Sequence, residues 1–148
     1  MKPPFQIAVF VSGSGTNLQA LLDRFSPSST AGPRVSRVVA SRPGIGAIAR
    51  AEQAGVPWSV LPAGVDSDSL AEAMLNELEL AGADLLVLAG FLKLIPEPVV
   101  RAHRGRILNI HPALLPAFGG PGMYGRRVHE AVLQSGARIS GATVHIVD

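Results

Sequence analysis

"FQIAVFVSGSGTNLQALL", residues 5–22, runs in immediate succession through an apolar stretch, a glycine-rich loop and the start of a helical stripe. Residues 5–11 are apolar almost continuously rather than alternately, the mark of a strand covered on both faces. Leu18, Leu21, Leu22 and Phe25 then recur at helical spacing, so one stripe of a helix faces a core. Between them, Gly13 and Gly15 supply the backbone freedom that a sharp strand-to-helix turn requires. Strand, tight loop and helix in that order open an α/β domain.

The pattern repeats along the chain. Residues 35–40 form a second expected strand, and Ile45, Ile48 and Ala49 begin a helix closed by Gly55 as a left-handed cap. Residues 58–61 are a short third strand, and Leu70, Met74 and Leu78 stripe a third helix ending near Gly82. "DLLVLA", residues 84–89, is the most hydrophobic strand and belongs at the centre of the sheet. Helical turns follow over residues 98–103, a fifth strand over 107–110, a helix over 128–133 before Gly136, and a sixth strand over 143–147. This alternation predicts an α/β fold, a mostly parallel sheet with helices on both faces.

At 148 residues the chain is sized for one domain, residues 1–148. Apolar residues make up 47% and aromatics only 5%, so Val, Leu, Ile and Ala must build the core. Lys and Arg number 13 against 11 Asp and Glu, and no basic run is interleaved with aromatics, so no nucleic-acid partner is expected. Cysteine is absent, which excludes disulfides and thiolate metal sites. His103, His111, His129 and His145 show no metal-ligand spacing, so no metal is expected. The apolar stretch near the N-terminus is too short to span a membrane, and "VSGSG" is a poor signal-peptide ending. A cytoplasmic protein without a membrane partner is the expectation, as a monomer or homodimer.

Open parallel sheets bind ligands outside the carboxyl ends of their strands, which selects three loops. The first is "SGSGTNL", residues 12–18: Gly13 and Gly15 let the backbone approach a ligand, while Thr16 and Asn17 lie where free amides and the helix dipole favour an anion. Leu18 stands where a dinucleotide fingerprint needs its third glycine, and no Gly-Lys-Ser/Thr follows. A phosphate monoester is the fitting guest; the alternative is a tight turn with a Ser or Thr cap. The second loop, "AGFLKLIPE", residues 89–97, stays apolar at Phe91, Leu92, Leu94 and Ile95. These side chains are either core or the lining of a slot for a flat, partly apolar ligand.

The third is "NIHPALLP", residues 109–116. Residues two apart in a strand share a side, so Asn109 and His111 converge, and Pro112 ends the strand behind them. An amide donor can hold a developing oxyanion and an imidazole can donate or shuttle a proton near neutral pH, which suits acyl-type transfer. A hydrogen-bonded core histidine is the plainer alternative for His111. No G-x-S-x-G elbow and no cysteine supplies a nucleophile, so the chemistry points to direct transfer between two bound substrates. His129 and His145 are expected in structural or supporting roles.

Taken together, "SGSGTNLQALL", "LAGFLKLIP", "ILNIHPALLPAFGG", "GMYGRRVHEAV" and "SGARISGATVHIVD" resemble the phosphoribosylglycinamide formyltransferase (GAR transformylase) family of folate-dependent enzymes, over nearly the whole chain. The resemblance implies a Rossmann-like formyltransferase fold. It also implies transfer of a formyl group from 10-formyltetrahydrofolate, a co-substrate, to the amine of 5-phosphoribosylglycinamide in de novo purine biosynthesis. By motif, Gly13, Gly15, Thr16 and Asn17 would hold the ribonucleotide phosphate region. Leu92, Lys93, Leu94 and Ile95 would line the folate pocket, Asn109 would contact the formyl oxygen, and His111 would be the proton donor.

Two departures from the family pattern stand out. The family usually carries an Arg before its third helix, where this chain has "VDSDSLAEA" with Asp68. Its catalytic Asp lies in an Asp-x-Gly segment a few residues beyond the strand ending here at Val147, and Asp148 does not match that position. The chain is therefore expected to lack the C-terminal part of the family fold and to be less active than a longer parent. Formyltetrahydrofolate hydrolase and methionyl-tRNA formyltransferase share the Asn and His, and a non-catalytic phosphate-binding module is the alternative of a different class.

Overall fold

A computed structural model describes residues 3–148. Its strands are β1 (Gln6–Val11), β2 (Arg34–Ala40), β3 (Trp58–Val60), β4 (Leu85–Ala89), β5 (Ile107–His111) and β6 (Thr143–Ile146). The helices are α1 (Thr16–Arg24), α2 (Gly46–Gln53), α3 (Ser67–Ala81), α4 (Glu97–Ala102) and α5 (Arg126–Ser135). One six-stranded sheet results, in the order β3-β2-β1-β4-β5-β6. All neighbouring strands run parallel except β5 and β6.

The continuous apolar run of β1 has the expected cause. Ala8, Val9, Phe10 and Val11 are fully buried, and the period of two divides β1 between two cores. Ile7, Val9 and Val11 pack with Leu18 and Leu22 of α1 and Ala47 and Ala51 of α2. Ala8 and Phe10 point the other way, toward Met74 and Leu78 of α3 and Val99 of α4. Each of the larger side chains among them (Val, Leu, Ile, Phe, Met) contributes about 1.5–3 kcal/mol through burial, so β1 is the spine on which helices of both faces are anchored. β4 lies beside it, flanked by β1 and β5, in the central position its hydrophobicity predicts.

The sixth strand departs from the regular strand–helix alternation. After β5 the chain makes no crossover back to the amino end of the sheet. Residues 112–142 instead deliver Thr143 beside His111, and β6 runs back until Ile146 pairs with Leu108. The antiparallel turn sets His145 directly across from Asn109. It also carries the last residues away from the strand mouths: Val147 N–H donates to the Ile107 carbonyl, and Asp148 lies in a shallow groove with Arg101 and Arg104.

His103 ends α4, where the helix dipole favours a cation. Burial nevertheless wins and, with help from the nearby Arg106 guanidinium, holds its pKa below the ordinary value of 6.5. Among the described residues, its Nδ1 is buried without a hydrogen-bond partner. The unfolded chain therefore takes up this proton first, and stability should fall as the pH drops through 6.5, levelling once the folded imidazole also titrates. Replacement His103→Gln should flatten the denaturation-midpoint profile between about pH 7 and 5. An unchanged slope would assign the acid sensitivity to other groups.

Candidate active site

Because β1, β2, β4 and β5 are parallel, their carboxyl ends open on one edge of the sheet. There the three loops selected from the sequence meet. Residues 12–13, 90–92 and 109–112 line a common cleft of about 430 Å³.

The junction of the loops is the buried hydroxyl of Ser12, 3% exposed. Its Oγ accepts a hydrogen bond from Ser41 Oγ at 2.7 Å and another from the Leu92 amide at 2.9 Å. One atom thus ties the ends of β1, β2 and β4. Leaving the buried Ser41 hydroxyl unpaired would cost about 1–3 kcal/mol, and the part-buried Leu92 amide less.

The glycine-rich loop turns into α1 without a side-chain cap. Gly15 is the N-cap, left-handed at φ 78, ψ 29, and no Ser or Thr side chain closes the helix end. The Ser/Thr-capped turn is therefore not what forms. The carbonyls are used instead: Ala47 N–H donates to Gly13 O at 3.1 Å and Gln19 N–H to Gly15 O at 2.8 Å. Among the described residues, no main-chain amide from residues 13–17 donates to another protein group. Amides free, carbonyls tied back and a helix N-terminus make an electropositive cradle. Gly13 lines the cleft itself, whereas Gly15, Thr16 and Asn17 continue from it into α1.

The loop after β4 divides its apolar residues between the two expected fates. Phe91 is core, edge-on to Phe10 at a centroid distance of 5.4 Å, and Ile95 packs partly against the same cluster. Leu92 lines the cleft and is 57% exposed, while Leu94 is 89% exposed. Lys93, Leu94 and Ile95 do not reach the cleft.

Asn109 and His111 both face the cleft, and each is held by one partner. Asn109 Nδ2 lies 3.1 Å from His145 Nε2, and His145 Nδ1 lies 3.2 Å from the Ile146 carbonyl. A carbonyl only accepts, so the His145 proton is assigned to Nδ1, and Nε2 receives one Asn109 N–H. The second Asn109 N–H remains for a ligand. His111 Nε2 lies 2.8 Å from the Phe118 carbonyl and must carry hydrogen there, which leaves Nδ1 as its exchangeable nitrogen. Phe118 is left-handed at φ 55, an uncommon conformation for a bulky residue, just before Gly119 and Gly120.

Sequence reasoning passed over several cleft residues. Arg42 lines the cleft from the loop after β2, beside Gly13, and the strand-mouth rule applied to β2 would have found it. Tyr124, just before α5, and His129, in the first turn of α5, also line the cleft. His145 supports Asn109, as a supporting role would have it. A larger groove along α3, lined by Asp68, Glu72 and Glu79, is acidic and lies apart from these groups.

The two loop glycines should respond differently to a methyl group. A Cβ on Gly15 would sit 2.8 Å from Ala47 Cα and 3.2 Å from Arg50 Cδ, in a left-handed backbone, whereas one on Gly13 meets nothing within 4 Å. Gly15→Ala should destabilise the fold by about 2 kcal/mol or more, the left-handed conformation alone costing about 1–2 kcal/mol. Gly13→Ala should leave stability near wild type and obstruct only a ligand approaching the backbone. Chemical denaturation of both variants checks this, and equal stabilities would contradict the packing described.

Comparison with known proteins places this architecture. The family model described as formyl transferase matches residues 5–148. A chloroplastic phosphoribosylglycinamide formyltransferase from Arabidopsis thaliana is 46% identical over 146 residues, covering 97% of this chain and 50% of the relative. The phosphoribosylglycinamide formyltransferase of Bacillus subtilis is 33% identical, covering 97% of this chain and 71% of that one. Among solved structures, glycinamide ribonucleotide transformylase 1 from Symbiobacterium toebii superposes with a TM-score of 0.85 at 36% identity, covering 97% of this chain and 66% of the other. The chain thus spans about half the length of the plant relative and about two thirds of the solved one. A six-stranded, mostly parallel sheet, a site at its strand mouths and a match over nearly every residue lead to one conclusion: the chain belongs to the formyl transferase family.

Proposed function

We propose that this chain forms the substrate cleft of a phosphoribosylglycinamide formyltransferase, which moves a formyl group from 10-formyltetrahydrofolate to the amine of 5-phosphoribosylglycinamide. The observation that carries the reading is the opening of Asn109 and His111 onto the same cleft as the glycine-rich loop and Leu92. The names of the relatives support the same acceptor and the transfer of a formyl group.

In this reading the amides of residues 13–17 hold the phosphate, as oriented donors at a helix N-terminus do. Arg42 adds a positive charge at the same mouth. The exposed side chain of Leu92 offers an apolar surface to the folate ring, with Lys93, Leu94 and Ile95 beyond it. The amine lone pair attacks the formyl carbon and the carbonyl pair moves onto oxygen. The free Asn109 N–H stabilises that oxyanion, pre-aimed by the bond to His145. The amine nitrogen then loses a proton, the folate N10 gains one, and the bond from the formyl carbon to N10 breaks with its electron pair going to nitrogen. His111 Nδ1 is the group suited to relay the proton, its other nitrogen being fixed on the Phe118 carbonyl.

The test is an acceptor-dependence assay on the full natural polypeptide that carries these residues. Formyl transfer should require the ribonucleotide, and His111→Ala should lower kcat by about 10²–10⁴-fold, the usual worth of general acid–base catalysis. Near-wild-type turnover by that variant would contradict the assignment. Formyl release without ribonucleotide would indicate a hydrolase, transfer to methionyl-tRNA would change the acceptor, and binding without turnover would leave a binding module.

A further inference from the structure

Three bonds turn the carbonyls of the glycine-rich loop away from the cleft, and the middle one comes from a side chain. Arg50, on α2, donates from Nε to the Ser14 carbonyl at 2.8 Å. Its terminal nitrogen donates to Gln19 Oε1 of α1 at 3.3 Å. The Arg50 Cδ lies directly under Gly15, within 3.2 Å of where a Cβ would stand. The neighbouring carbonyls, of Gly13 and Gly15, are tied by main-chain amides that any residue would supply. Ser14 O alone depends on the identity of a side chain.

Arg50 does not belong to the cleft. It lines a separate shallow groove with Gln19 and Asp23 on the outer side of α1 and α2. Its guanidinium therefore reaches the loop from behind and is screened from the ligand side by the loop itself.

A peptide unit has two ends. When a carbonyl is held behind the loop, the N–H of the same unit points roughly the opposite way, because the unit is planar and trans. The unit that carries Ser14 O also carries the Gly15 N–H. Fixing the one orients the other toward the anion side, and the rigid, planar fork of arginine reaches two elements from separate nitrogens at fixed spacing, where lysine offers a single nitrogen.

We propose that Arg50 is a positioning residue for phosphate binding: through Ser14 O and Gln19 it holds the residue 14–15 peptide with its amide presented to the phosphate, and it touches no substrate. This rests on the reading of residues 13–17 as the phosphate cradle. Phosphate affinity is then set partly from outside the site, by the docking of α2 on α1.

The test measures binding of ribose 5-phosphate to this chain by calorimetry, for wild type and for Arg50→Met, Arg50→Lys and Gln19→Leu, with thermal unfolding of each. Arg50→Met keeps the stem over Gly15 and removes both bonds, and should weaken binding about tenfold or more. Arg50→Lys should recover part of the loss, because one donor can reach Ser14 O. Gln19→Leu leaves the charge but removes one brace, and should weaken binding to an intermediate degree. In the natural polypeptide the ribonucleotide KM should rise in the same order, while the KM for the formyl donor stays within about twofold. Full recovery with lysine and no effect at Gln19 would overturn the proposal in favour of a distant charge. Equal affinity of Arg50→Met and wild type would overturn it outright while leaving the phosphate reading intact. Failure of the wild-type chain to bind ribose 5-phosphate would instead overturn that reading, and the proposal with it.

Discussion

The Ser12 hydroxyl, accepting from Ser41 Oγ and from the Leu92 amide, is the contact on which the site geometry depends. Parallel strands supply the setting, since they end on a common edge, but pairing along the strands does not fix what the loops beyond them do. A single buried oxygen at the end of β1 joins the loops after β2 and β4. The glycine-rich loop and Leu92 are consequently neighbours by construction of the sheet rather than by ligand binding. With about 1–3 kcal/mol at stake for the buried Ser41 hydroxyl if left unpaired, and a further, part-buried bond to the Leu92 amide, this arrangement is favoured over a splayed one.

From that junction a pattern recurs: the loop peptides, Asn109 and His111 are each held by a second group outside the reacting face. The loop carbonyls are tied back by Ala47, Arg50 and Gln19, which leaves their amides outward. Asn109 is held by His145 across the antiparallel pair, and His111 by the Phe118 carbonyl. Such preorganisation matters because donors already aimed at a developing charge need no rearrangement when it appears. The antiparallel pairing of β6 with β5 supplies one of these supports, since its register sets residue 145 opposite residue 109.

Much of this was legible in the sequence, for identifiable reasons. The nearly continuous apolar run of residues 5–11 marked a strand covered twice, and its period of two divides the two cores. The glycines at 13 and 15 marked the loop, and the spacing of Asn109 and His111 marked their shared side. What escaped depended on contacts between residues far apart in the chain. The direction of β6 is set by where residues 112–142 return, which no local pattern encodes. The pairing of Asn109 with His145 and the place of Arg42 and His129 in the cleft arise from that long-range geometry. The stretch around Leu92 was ambiguous because core and ligand surfaces use the same apolar residues; here Phe91 packs in the core and borders the cleft, while Leu92 is exposed at it.

The central claim is that the glycine-rich loop and the Asn109–His111 pair form one site for one phosphorylated amine. Titration of the isotopically labelled chain with 5-phosphoribosylglycinamide, followed by nuclear magnetic resonance, tests it most directly. The backbone amides of residues 13–17 and the side-chain amide of Asn109 should shift saturably together, all at one dissociation constant. Shifts that leave those amides unmoved, or that gather instead along the acidic groove of Asp68, Glu72 and Glu79, would contradict it.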